Sequence, residues 1–233
     1  MARKVREEDY TGKRKEILDA AQKLIYTRGY EQMTIQGILD EVRISKGAFY
    51  HYFDSKQTLL QAMIDRMFDE GESLLRPIVE NPDMSALEKL QCYFAEAGRW
   101  KTAQMDLLME LLRVWYQDEN AIVRGKIFLQ GLKRVAPVLS QIFLQGLQEG
   151  SMSTGYPEEV GEVVMCLVEG LGETYARRLL STDPGDNDLE QVRRITNAYQ
   201  QAIERTLGTP VGCLTLVDDE MMAAWFGSAE KTV

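Results

Sequence analysis

Apolar residues recur every three to four positions along nearly the whole chain. No segment sustains the period-two alternation with turn punctuation that a β-hairpin requires. This periodicity predicts an all-α fold. The first stripe, Ile17, Ala21, Leu24 and Ile25, predicts a helix over about Thr11–Arg28 that Gly29 terminates. Two short helices are expected next. Thr34 caps one that reaches about Val42 and Ser45 caps another that reaches about Tyr52, each hydroxyl serving backbone amides left unpaired at a helix start. Ser55 then opens a longer helix that Pro77 is expected to close.

Further on, Ser85 with Glu88 forms a capping box ahead of a helix to about Trp100, and another helix covers roughly Ala103–Tyr116. A long segment from Asn120 to Glu149 contains Pro137, which removes one backbone bond and is expected to kink or split it. The hexapeptide IlePheLeuGlnGlyLeu stands at 127–132 and again at 142–147, and a single recurrence reads as coincidence or recent duplication, not as a solenoid. Two last long helices are expected, from Pro157 to about Leu180 and from Asp188 to about Leu207. Their stripes are Val160, Val164, Leu167, Leu171 and Tyr175, and Val192, Ile195, Tyr199, Ile203 and Leu207. Such stripes usually form intramolecular core, yet the small residues Gly170, Gly172 and Ala176 would also allow close approach across a subunit boundary. The tail, 209–233, is less regular, with one short helix around Asp219–Phe226.

With 233 residues, 45% of them hydrophobic, the chain can bury one sizeable core and a small accessory domain. No apolar run reaches the length of about 18 residues that a membrane span needs, and the charged start Met1–Tyr10 has no signal-peptide character, so a soluble cytoplasmic protein is expected. Cys92, Cys166 and Cys213 are odd in number and far apart. They imply neither a disulfide framework nor a metal site and are expected as buried thiols; no metal or cofactor is called for. The net charge of −9 is unevenly spread. Residues 1–56 hold 11 Lys and Arg against 9 Asp and Glu, a net of +2, which leaves −11 for the remainder. A basic end suited to phosphate is thus joined to an acidic body that discourages indiscriminate contact with nucleic acid.

The informative stretch runs from Thr34 to Leu60. Ile38, Leu39, Val42, Ile44, Phe49 and Phe53 can lock two short helices at a steep angle and leave Lys46, Ala48, Tyr50 and His51 at the surface, which is helix-turn-helix geometry. The second helix would enter the major groove by its N-terminal end. There Gly47 and Ala48 let the backbone approach base edges, and Ala48 can meet a thymine methyl. Phe49 and Phe53 read as core, not as stacking platforms for bases.

From about Lys13 to Leu60 the sequence resembles the tetracycline-repressor (TetR) family, in the SerLysGly opening at 45–47, the TyrHisTyrPhe ending at 50–53 and Lys56 two residues past Asp54. The resemblance implies a recognition helix from Ser45 to Tyr52. It implies phosphate contacts by Tyr50, His51 and Lys56, base contacts near Gln36, Lys46, Gly47, Ala48 and Tyr50, and a phosphate-bound cap at Thr34. It also implies a helix-turn-helix domain over 1–56 and a larger helical-bundle domain over 57–208 for effector binding and dimerisation. The partners would be a palindromic double-stranded DNA operator, a small-molecule effector and a second copy of the chain. One departure stands out: the turn position usually filled by glycine is Arg43, which either adopts a left-handed conformation or marks an altered turn.

For the effector, Tyr93, Phe94, Trp100, Met105, Met109, Trp115, Tyr116 and Phe128 form an aromatic and methionine-rich belt, suited to an apolar pocket or to ordinary core. Glu96, Arg99, Asp106, Glu110 and Arg113 on the same helices could add polar specificity or simply face solvent. An enzyme is the main rival, and it lacks means: His51 is the one histidine, already placed in the DNA motif, and no phosphate-binding glycine loop is present, which leaves only carboxylate chemistry. A dimeric DNA-binding protein without any effector is the other rival.

Overall fold

The computed structural model describes residues 2–30, 32–116, 121–183 and 188–227. Among these residues there are ten α-helices and no strand. In chain order they are α1 (Ala2–Arg28), α2 (Ile35–Val42), α3 (Lys46–Tyr52), α4 (Lys56–Val79), α5 (Ala86–Ala103), α6 (Met105–Trp115), α7 (Ala121–Glu149), α8 (Val160–Leu179), α9 (Leu189–Leu207) and α10 (Asp219–Phe226). The expected start of the seventh helix at Asn120 and the last six residues of the tail lie outside the described residues.

Several boundaries move, each for an identifiable reason. The first helix begins at Ala2 instead of Thr11, upstream of the apolar stripe that marks it in the sequence. Pro77 does not close α4, which runs two residues further, and Pro137 does not split α7. A proline removes one intrahelical bond. In α4 that loss falls in the last turn, while in α7 the surrounding residues Ala136, Leu139, Ile142 and Phe143 are all buried and hold the helix by packing. The eighth helix starts at Val160, three residues after Pro157. The repeated hexapeptide occupies unlike environments: Phe143 is 1% exposed and its counterpart Phe128 is 37% exposed, so no structural repeat accompanies the sequence repeat.

The chain forms two compact units that cut across the division at residue 56. The first holds Met1–Asp69 with Asp106–Val123, and the second holds Glu70–Met105 with Arg124–Val233. In the first, α1 contributes buried Ile17, Ala21, Leu24 and Ile25, α2 contributes Ile38 and Leu39, α4 contributes Leu59, Leu60 and Met63, and α6 contributes Leu107, Leu111 and Val114. Polar ties surround this core. Arg66 binds Asp19 at 2.6 Å and also donates to Gln22, which fastens α4 to α1.

In the second unit a cluster including Leu90, Tyr93, Phe94, Leu139, Phe143, Val164, Leu171, Ile203 and Leu207 joins α5, α7, α8 and α9. The expected stripes of α8 and α9 are largely consumed here. Val160, Val164, Leu171, Val192, Ile203 and Leu207 are buried within the chain, Ala176 is buried with them, and Gly170 makes room for the Tyr199 ring. Those stripes are therefore covered mostly by their own chain, while Leu167, Tyr175, Ile195 and Tyr199 stay half-buried. The thiols also differ from expectation: Cys166 is exposed on the outer side of α8, and Cys92 and Cys213 are half-buried.

The tail is part of this unit. Glu204 is 0% exposed, and its carboxylate accepts the Gly212 amide at 2.9 Å and the Leu214 amide at 3.0 Å, which pins the 209–216 loop onto α9. Gln91 pairs with both backbone groups of Thr215, and Asp218 then caps α10. Trp225 Nε1 donates to Thr102 Oγ1 at 2.8 Å, and the sulfur of Met221 fills the space above Gly98, where any Cβ would overlap it. Replacing Glu204 by Ala takes the partner from the buried Leu214 amide and from the more accessible Gly212 amide, and is expected to destabilise the protein by about 1–3 kcal/mol, measured as a lower urea midpoint. Glu204→Gln, which keeps one carbonyl oxygen, is expected to cost less.

Candidate nucleic-acid interface

The helix-turn-helix lies wholly in the first unit. Thr34, in extended conformation, accepts the Gly37 amide on Oγ1 at 3.0 Å, and Ser45 accepts the Ala48 amide on Oγ at 3.2 Å, so both short helices begin as their capping residues dictate. Between them Arg43 takes the left-handed conformation, with φ 56° and ψ 50°, and both its amide and that of Ile44 return to the Leu39 carbonyl. The turn is thus made in the usual way by an unusual residue. Lys23 reaches from α1 to Glu41 at 2.6 Å, and that hydrogen bond holds the Glu41 carboxyl below the usual carboxylate range.

Phe49 is 0% exposed and Phe53 is buried behind it, with the Arg14 guanidinium 5.0 Å from the Phe53 ring. Anchoring by these two rings sets the rotation of α3. Lys46, Gly47, Tyr50 and His51 are then exposed, and Ala48 and Tyr52 are half-buried. Gly47 is informative because a Cβ there would meet no atom within 4 Å. Nothing in the fold requires glycine at that position, although it weakens a seven-residue helix by about 0.5–1 kcal/mol relative to alanine. At Gly37, by contrast, the Thr34 hydroxyl and the Leu24 side chain crowd the site.

Two of the expected contact residues are already engaged within the chain. The exposed Gln36 amide donates to Asp40 Oδ1 at 2.8 Å along α2. Lys56 is half-buried, donating from Nζ to the Tyr30 carbonyl at 2.8 Å and lying 3.9 Å from the Tyr30 ring centre. That lysine therefore ties the start of α4 to the segment after α1. Tyr10 escaped the sequence reasoning, because nothing in its spacing connects α1 to α3. In space its ring lies 4.7 Å from that of Tyr52 and 5.6 Å from that of His51.

The aromatic and methionine-rich belt does not gather in one unit. Tyr93, Phe94, Trp100, Met105 and Phe128 belong to the second unit and Met109, Trp115 and Tyr116 to the first. Tyr93 and Phe94 are core residues packed edge to face at 5.9 Å, while Phe128 is exposed. Burial, with a smaller contribution from the Glu72 carboxylate, pushes the Tyr93 hydroxyl up to about 12. Glu96 and Arg99 pair with each other at the surface, as do Glu110 and Arg113, which accounts for these charges as a solvated face.

The profile of bacterial regulatory proteins of the tetR family matches residues 17–63. The chain is 32% identical over 162 residues to YfiR of Bacillus subtilis strain 168, an uncharacterised helix-turn-helix transcriptional regulator, covering 67% of this chain and 76% of that protein. A helix-turn-helix regulator from the lacX 3′ region of Lactococcus lactis is 48% identical over 78 residues, a match covering 34% of this chain and 40% of that protein. The fold is similar to that of a TetR regulator from Haloarcula marismortui, with a TM-score of 0.60 at 24% identity, covering 82% of this chain and 98% of that one. The chain belongs to the TetR family of bacterial regulatory proteins, a family of transcription regulators and not of enzymes.

The left-handed Arg43 generates a test of the turn. Glycine avoids the cost of about 1–2 kcal/mol that an L-residue meets there, offset in part by its freer unfolded chain, so Arg43→Gly is expected to stabilise the protein by about 0.5–1 kcal/mol. A urea midpoint that is unchanged or lowered would contradict the strain argument.

Proposed function

We propose that this chain is a sequence-specific, DNA-binding regulator of transcription in the cytoplasm. In this reading it is a repressor that holds a palindromic operator as a homodimer and releases it when a small apolar or amphipathic effector binds. Residues 1–56 form the reading head, and 57–208 bind effector and partner. The observation that carries the reading is Gly47, an exposed glycine in the capped first turn of α3, flanked by Lys46 and Ala48, with no internal neighbour that needs the space. A bare backbone at that place suits close approach to base edges, and the amides at the start of α3 suit phosphate. Lys46, Tyr50 and His51 stand exposed beside it for phosphate contact. Thr34, Gln36, Ser45, Ala48, Tyr52 and Lys56 complete the proposed DNA surface.

The reading is tested by separating stability from binding at Gly47. Gly47→Ala is expected to leave the thermal midpoint unchanged or raised, since alanine favours the helix, while affinity for an operator selected from genomic fragments falls about tenfold or more, the scale of a lost base-edge fit. Retained affinity would remove the main support for the reading head.

Dimerisation is proposed through the outer side of α8, where Val163 and Cys166 are exposed and Gly172 has open space around it, because the buried stripes are already used within the chain. Paired half-sites about 34–36 Å apart require paired reading heads. Sedimentation in reducing buffer at micromolar concentration is expected to give a dimer; a monomer that still binds the full operator would rule out the two-fold arrangement.

A further inference from the structure

We propose that Tyr10 is a positioning residue of the DNA interface, holding His51 and Tyr52 at the end of α3 in the orientations in which they meet the phosphate backbone. The inference rests on the DNA-binding reading above and extends it to α1, outside residues 17–63 that match the family profile.

Three rings meet at the surface where α1 passes the last turn of α3. Tyr10 lies over Tyr52 with ring centres 4.7 Å apart and planes tilted by 31°, and it meets His51 edge to face at 5.6 Å and 89°. His51 and Tyr52 complete the triangle at 5.3 Å. This is not core. Tyr10 is 38% exposed, His51 is exposed, and α3 already has its anchors in Phe49 and Phe53. What the triangle restricts is side-chain freedom. His51 and Tyr52 each turn about two side-chain bonds, and ordering such groups on binding opposes affinity; side chains ordered beforehand avoid that loss. The Tyr10 ring blocks rotamers that would swing His51 and Tyr52 toward α1. The partner is a phosphate oxygen of duplex DNA, contacted by the imidazole and the phenol while the Tyr10 ring stays behind them.

Because phosphate contact is independent of sequence, the probe is a labelled random-sequence duplex of about 30 base pairs at low salt, read by fluorescence anisotropy. Tyr10→Ala is expected to weaken binding about three- to tenfold, the scale of an aromatic pair, with a thermal midpoint lowered by no more than about 2–6 °C. Tyr10→Phe keeps the ring and is expected to restore affinity to within about twofold of the parent, the lower end of that scale. In a His51→Ala background the Tyr10→Ala penalty is expected to shrink, because one of the two groups it positions is gone. The proposal is overturned if Tyr10→Ala binds like the parent, if Tyr10→Phe loses as much as Tyr10→Ala so that the hydroxyl is itself the contact, or if the two alanine penalties simply add. Failure of the parent to bind duplex DNA overturns the DNA-binding reading together with this inference. Parent binding that Lys46→Ala weakens and Tyr10→Ala does not leaves that reading intact and removes only this inference.

Discussion

A helix of seven residues does not persist in water, since the cost of its first turn outweighs the few hydrogen bonds that follow. The reading head therefore depends on burial of Phe49, which has no exposed surface, with Phe53 one turn on. These rings hold α3 in place and choose which residues face outward. Everything chemically useful about α3 is decided by that rotation. A turn of about 100°, one residue's worth, would bury Tyr50 and expose Phe49. The hydroxyl caps at Thr34 and Ser45 fix where the two helices begin and leave their rotation to packing.

Much of this was legible in the sequence because the determining interactions are local. Thr34, Ser45, the Ser85–Glu88 box, Asp188 and Asp218 act within three residues of themselves, and each opens the helix whose start the sequence marks. Pro77 and Pro137 signal a break by local rules, yet the packing around α7 outweighs one lost hydrogen bond. Long-range pairings left no trace in the sequence. Lys56 reads in the sequence as a phosphate contact beside the DNA motif, and its engagement with the Tyr30 carbonyl, 26 residues away, follows only from the fold. Tyr10 is a similar case, and so is Glu204, whose carboxylate reads as one more charge on an amphipathic helix until the loop it gathers is seen.

The stripes of α8 and α9 show how one pattern can stand for two structures. An apolar row at near-heptad spacing describes a helix that must bury one face, and it is silent on whether the covering surface belongs to the same chain. Here the same chain supplies most of it, from α5, α7 and α10. Tyr175 illustrates the division: it packs edge to face on Phe226 at 5.1 Å and bonds to Thr196, so a residue of the α8 stripe is held by the tail.

Gly98 leaves the space that the sulfur of Met221 fills. A Cβ at 98 would meet the methionine sulfur at 2.2 Å, so the end of that side chain would have to swing aside and give up its place against α5. Among descendants of this sequence the two positions are therefore expected to drift as a linked pair: a chain that acquires alanine or serine at 98 should favour a shorter residue at 221. Covariation between a glycine in α5 and a methionine 123 positions later would then record the docking of the tail in the history of the sequence.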